Sequence, residues 1–312
     1  RRYFTRRNPL RSHMRGRREF FNVMLGNYNC VYGRSLFLKY TGKYIDILKE
    51  RTVCFMVIHK NITGQHNWPK LEGGHRMEII KFETISFNWQ DILANSLKKD
   101  KRKEASPEMA EAAEKAYIEG VSLLDMCAVV EIYKKDDNDG QYIILSLPGR
   151  DSDRVYIGPC AGYLMPADEV AITLCTVGAK LVARMSEYSS FDDYLTMYYM
   201  DVLGVQALAE VSARVRSHVE SLALKKSWGV GPSMQPGSVD GWTVEGQKDL
   251  YRLGHGEKID LSLNDSCFLI PYISDSAIIG LGQHYSSSKV GSMCDKCPRF
   301  KECLWRRENV WK

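Results

Sequence analysis

Asp201–Lys225 reads DVLGVQALAEVSARVRSHVESLALK, and this stretch decides the fold class. Val205, Leu208, Ala209, Ser212, Val215, Val219 and Leu222 recur at three- and four-residue spacing over about six turns, with Arg214, Arg216 and Glu220 elsewhere. That period makes a long amphipathic helix whose stripe must be covered by another layer. Upstream, Ala128–Tyr133 and Tyr142–Leu147 flank Asp136–Gly140 (DDNDG), a turn signal that makes them a β-hairpin. Further strands are expected at Met77–Phe87 (an edge strand), Val155–Gly158, Val170–Leu174, Ile259–Leu263, Phe268–Ile270 and Ser276–Gly282. Ser106-Pro107-Glu108 starts a second helix that stops at Gly120, and Thr243 caps a third that ends at Gly254. Lys98–Lys103 reads as a solvated loop, and Asp192-Asp193 as helix-start chemistry. Trp228–Trp242 (WGVGPSMQPGSVDGW) is rich enough in Gly, Pro and Ser to read as irregular. Helices and hairpin-linked strands without regular βαβ alternation give an α+β domain.

The chain has 312 residues, 44% of them hydrophobic and 26% charged, which fits one large or two modest globular domains and excludes a fibrous chain. No apolar run approaches a membrane span, so no membrane partner is expected and a cytoplasmic setting is. Residues 1–76 carry 16 Lys+Arg against four Asp+Glu, whereas the rest of the chain is net acidic. Glu72-Gly73-Gly74 can be encoded by a purine-rich ribosome-binding sequence two codons ahead of an ATG at Met77. The expectation is therefore that residues 1–76 are upstream read-through or a disordered basic leader. The leader is then no argument for nucleic-acid binding.

Nine cysteines, irregularly spaced, point to reduced thiols rather than a disulfide framework. Three close the sequence: Cys294-Asp-Lys-Cys297-Pro-Arg-Phe-Lys-Glu-Cys303. A CxxC turn aims two sulfurs the same way, and a third six residues on fits an iron–sulfur cluster or zinc. Cys267 or His284 are the candidates for a fourth ligand. Cys160 and Cys175 read as buried small hydrophobes. The expected order is thus a leader (1–76), a main domain (77–290) and a Cys-rich metal-binding tail (291–312).

Ile259–Gly282 (IDLSLNDSCFLIPYISDSAIIGLG), through Leu263, Asn264, Asp265, Ser266, Pro271, Ser274 and Ser276, resembles a segment of the reactivation domain of cobalamin-dependent methionine synthase. The long helix with Glu210 followed by Trp228, the Pro-Gly loop, and Trp242 leading to Gln247 and Leu250 resemble the same domain. The resemblance implies a helmet-like α+β fold, a twisted antiparallel sheet flanked by helices, in stand-alone form. It implies S-adenosylmethionine binding by Glu210 and by the loop Pro232, Ser233, Met234, Gln235, Pro236, Gly237 and Ser238. It implies no catalytic residue. The implied activity is assistance in the reductive methylation of an inactive cobalamin carried by a corrinoid-binding protein or by methionine synthase modules. A donor such as flavodoxin or ferredoxin would supply the electron. The family's loop carries Arg ahead of Pro-Gly and Tyr after it, where this chain has Ser233 and Ser238. A contrasting expectation is a non-enzymatic iron–sulfur or zinc adaptor docking on a corrinoid methyltransferase.

Overall fold

A computed structural model describes residues 76–100, 104–147, 149, 151–297, 300–301 and 303. The basic leader up to residue 75 lies outside the described residues. The architecture is α+β. Strands β1 (Arg76–Phe82), β2 (Met126–Asn138), β3 (Tyr142–Leu145), β4 (Asp153–Tyr156), β5 (Glu169–Thr176), β6 (Gly229–Met234), β9 (Ser274–Gly282) and β10 (Gly291–Ser292) form one sheet. Its order is β10-β6-β9-β5-β2-β3-β4, with β1 also on β2. All pairings are antiparallel except β10 on β6. Strands β7 (Ser262–Leu263) and β8 (Leu269–Ile270) form a separate ribbon.

Five helices surround the sheet: α1 (Trp89–Asp100), α2 (Pro107–Val121), α3 (Ala179–Ser190), α4 (Tyr194–Leu224) and α5 (Gln247–Leu253). Helix α2 begins as its sequence requires, with the Ser106 hydroxyl accepting from Met109 N at 3.3 Å and Pro107 in the first turn. Helix α4 starts earlier than the hydrophobic stripe suggests. Asp193 caps it, its carboxylate accepting from Thr196 N at 3.1 Å and Thr196 Oγ1 at 2.9 Å. The first turns of α4 are buried all round, so they lack the one-sided pattern that marks a surface helix. The buried line then runs through Leu203, Ala207, Val211, Val215, Val219 and Leu222, while Ala209 is exposed. It covers the face of β2, β5, β9 and β6.

Two helices were not legible: α3, and α1, which absorbs part of the charge run expected as a loop. Two strand readings also change. The edge strand ends at Phe82, and the Gly-Pro-rich stretch after Trp228 contains β6. The expected Thr243 cap is replaced by a 3-10 turn, Val244–Gly246, with α5 starting behind it.

The opposite face of the sheet is covered by α5 and the β7–β8 ribbon. Cys127, Val129 and Leu174 pack there with Ile259, Leu261 and Leu269. Glu131 points into this layer from β2, fully buried, with His255 Nε2 3.9 Å from Oε1. Burial first, and then the Glu257 carboxylate, push its carboxyl up to about 8.

Two outcomes follow for stability. Val215, 2% exposed, cannot carry a charge, so Val215→Asp should lose several kcal/mol and fail to melt cooperatively, whereas Ala209→Asp on the exposed side should melt like wild type. Equal melts would place the stripe elsewhere. Glu131 keeps its proton in the fold to about pH 8, whereas the unfolded chain releases it near the ordinary carboxylate value. The native state therefore binds more protons between those limits, and stability falls as pH rises through that window. Urea melts at pH 5.5 and 8.5 should show wild type losing at least about 1.4 kcal/mol more than Glu131→Gln, the worth of one pKa unit. Parallel losses would show that the buried acid does not titrate as stated.

Candidate functional site

Strand β6 owes its form to what lies across it. Tyr285 lies against Gly231, where an added Cβ would stand 2.9 Å from the phenol oxygen. Its hydroxyl donates to Tyr163 O at 2.7 Å, and burial, followed by the charge of Asp168, raises its pKa. The register shifts between Val230 and Ser233, so Pro232 sits at an irregularity where no ladder N–H is needed. The composition that suggested a loop is what a bulged strand under an aromatic ring requires.

Past Met234 the chain turns. Gly237 N donates to Trp242 O at 2.8 Å and Ser238 N to Gln235 O at 3.2 Å. Gln235 Nε2 donates to Asp275 Oδ1 at 2.6 Å, and Ser212 of α4 donates to Asp275 Oδ2 at 3.1 Å. Ser276 donates to Gln247 Oε1 at 2.9 Å on the other side of the sheet, and Ser274 to Thr176 Oγ1 at 2.9 Å. The loop stretch Pro232–Ser238 and the stretch Pro271–Ser276, far apart in sequence, are thus joined through a carboxylate. Cys175 stands opposite Asp275 in the ladder, and burial, then that charge, raises its thiol pKa.

Glu210 is not part of this arrangement. Its Oε2 accepts from Ser86 N at 2.9 Å and Ser86 Oγ at 2.8 Å, and its Oε1 accepts from Arg214. Positions two apart on a helix face opposite ways, so Ser212 meets the loop's partner and Glu210 cannot. The acidic group beside the loop is Asp275. It lay between Ser274 and Ser276 in the quoted stretch, and no spacing rule marked it.

The tail reaches the loop through β10, where Gly291 pairs with Pro232 and Ser292 with Ser233. Cys294 N then donates to Ser292 Oγ at 3.1 Å. A cavity of about 430 Å³ opens where the tail meets the end of the loop. Val239 and Asp240, Pro159 to Tyr163, and Met293 to Cys297 supply its walls, with both Cys160 and Cys297 among them. The first two walls are locked by close backbone approach. A Cβ on Gly158 would overlap Gly241 O, and one on Gly241 would stand 2.7 Å from Pro159 Cδ. Both glycines also have positive φ, which other residues adopt only with strain.

The cysteines expected as one ligand set are not gathered. Among the described residues, no three His, Cys, Asp or Glu side chains are placed to hold a metal ion. Cys267 is buried in the β7–β8 turn, whose Leu269 packs with Cys127 and Ile259, whereas Cys160 and Met293 belong to the cluster around Trp242. That separation removes Cys267 as a partner for the tail, and His284 is an exposed neighbour of Gln283. Sequence reading set Cys160 aside as a small hydrophobe. It is buried, with its thiol toward Asp240 O at 3.9 Å, but it also faces the cavity. The glycines at 158 and 241 were the available signal for that junction.

The Gln235–Asp275 contact should hold the loop in place. Gln235→Leu should leave the melting profile nearly unchanged but raise amide exchange across Gln235–Ser238, since a hydrogen bond to a charged group contributes about 1.5–3 kcal/mol locally. Unchanged exchange would mean that the turn closes without Asp275.

No protein family and no curated protein matches the chain. Among solved structures, one described as the crystal structure of the MetH reactivation domain bound to AdoHcy is similar at TM-score 0.47 and 13% identity, over 69% of this chain and 81% of that one.

Proposed function

We propose that the chain is a stand-alone reactivation-type protein that binds S-adenosylmethionine at the Pro232–Ser238 loop and serves a corrinoid-bearing partner. The observation that carries the reading is the Gln235–Asp275 junction, which brings together the two stretches on which the sequence resemblance rests. The turn uses the N–H groups of Gly237 and Ser238 internally. What it turns toward a ligand is therefore rich in acceptors, with the Asp275 and Asp240 carboxylates nearby. Acceptors suit a ligand with a sulfonium and an ammonium group. They do not suit its carboxylate, for which Ser233 offers no fork of donors in place of the family's Arg.

The bound ligand would supply the methyl group; the chain's part is to hold and orient it. Reduction of the partner's cobalt requires an electron from outside, from a donor such as flavodoxin or ferredoxin. No helix among the described residues is long and apolar enough to cross a membrane, and seven described cysteines are free thiols, which accords with a cytoplasmic setting.

Calorimetric titration of the full chain with S-adenosylmethionine tests this. Binding should be weak, and Ser233→Arg should tighten it by about tenfold, the worth of roughly 1.4 kcal/mol. No heat at millimolar ligand would sink the reading. Low-micromolar binding that the added Arg leaves unchanged would place the ligand away from this loop.

A further inference from the structure

We infer that Cys160 is the fourth thiolate, with Cys294, Cys297 and Cys303, of a four-iron iron–sulfur cluster seated in the cavity beside Val239 and Asp240. The cavity walls carry the argument. Cys160 comes from the 3-10 turn Gly158–Leu164 and Cys297 from the tail, and both line the same 430 Å³ space. Cys294 follows a lining residue, Met293, and is fastened by its own N–H to Ser292, so the CxxC turn is held at the cavity edge. Phe300 N donates to Cys297 O at 3.0 Å, which turns the chain back before Cys303.

The arrangement separates the two metal readings. A single zinc needs its ligands to converge on one point at about 2.3 Å, and no described group does so. A four-iron cluster asks for less convergence, because each thiolate takes its own iron at a separate corner. A wall that contributes one thiol from the domain and others from the tail suits the second demand. Each thiol gives up its proton on ligation, and the iron's charge outweighs the burial and the Asp240 charge that raise the Cys160 pKa. Lys296 on the lining offsets some of the cluster's negative charge, and Asp240 and Asp295 oppose it. An acidic surround favours the oxidised, less negative cluster, so its reduction potential should be low.

This inference rests on the sequence reading of the tail as a metal site, and not on the methyl-donor reading. The test is anaerobic reconstitution of the full chain with ferrous iron and sulfide, followed by iron and sulfide analysis and electron paramagnetic resonance of the reduced protein. Wild type should hold about four irons with matching sulfide. Cys297→Ser and Cys160→Ser should each lose most of the iron or change the resonance, and Cys267→Ser should do neither. Cys160 is buried, so each variant's melt is compared with that of metal-free wild type. Differential alkylation of wild type in moderate urea, read by peptide mass spectrometry, answers without substitution. Iron loading should protect Cys160, Cys294, Cys297 and Cys303 but leave Cys267 unchanged.

A Cys160→Ser protein with full iron and an unchanged resonance, or wild type that takes up only zinc or no metal, overturns the inference. Titration of the same samples with S-adenosylmethionine separates the two readings. Ligand binding without iron leaves the function proposal standing alone, and iron without ligand binding leaves the cluster standing alone.

Discussion

Burial of both faces of the β2–β5–β9 core is the constraint on which the remaining structure depends. Strand β5 is buried from Val170 to Thr176, and β9 from Ser276 to Gly282. An antiparallel sheet usually leaves one face to solvent, and its strands then alternate. Here α4 covers one face, while α5 and the β7–β8 ribbon cover the other, so the strands read as near-continuous apolar runs. A helix of 31 residues is long enough to lie against four strands in turn. Its stability comes from that contact more than from its own propensity, since its first half contains Tyr, Met, Thr and Gly.

Once the core is fixed, the loop is positioned by the sheet and not by its own sequence. Strand β6 lies beside β9, and the turn after Met234 must leave the sheet next to Asp275. The bulge at Pro232, the ring of Tyr285 and the close approach of Gly158 to Gly241 then set where the turn lies. These contacts join segments more than 70 residues apart (158 and 241) without a metal or a disulfide among them. The tail enters through the two-residue strand β10 and gains its order from β6. The loop and the tail thus share one scaffold, and a ligand on either would sense the other through β6.

Buried polar groups mark where this fold departs from a plain hydrophobic core. Asp275 is satisfied by Ser212 and Gln235, each from a different element. Glu78 meets His218 Nε2 at 2.7 Å beneath the edge strand. Glu131 is held by burial in its protonated form near neutral pH. Such groups cost stability unless paired or neutralised, and the three are handled by three different means.

The sequence by itself determined the elements whose signals are local. The Ser106-Pro107 cap, the DDNDG hairpin, the Asp193 start and the Val211–Leu222 stripe each depend on neighbours within a few residues, and each formed. It also determined the α+β class, because those elements cannot be arranged as regular βαβ units. Only the tertiary structure decided the rest. Strand β6 looks irregular until Tyr285 lies on its glycines, and α3 has no cap hydrogen bond to announce it. The candidate site was legible as segments and not as residues. Pro232–Ser238 and Cys294–Cys297 were found, but Glu210 was assigned to the wrong face of α4, and Asp275 and Cys160 were passed over. Which side of a helix meets a loop, and which buried thiol borders a cavity, depend on strand register and on backbone approach between distant segments, and neither is encoded in the spacing of residues along the chain.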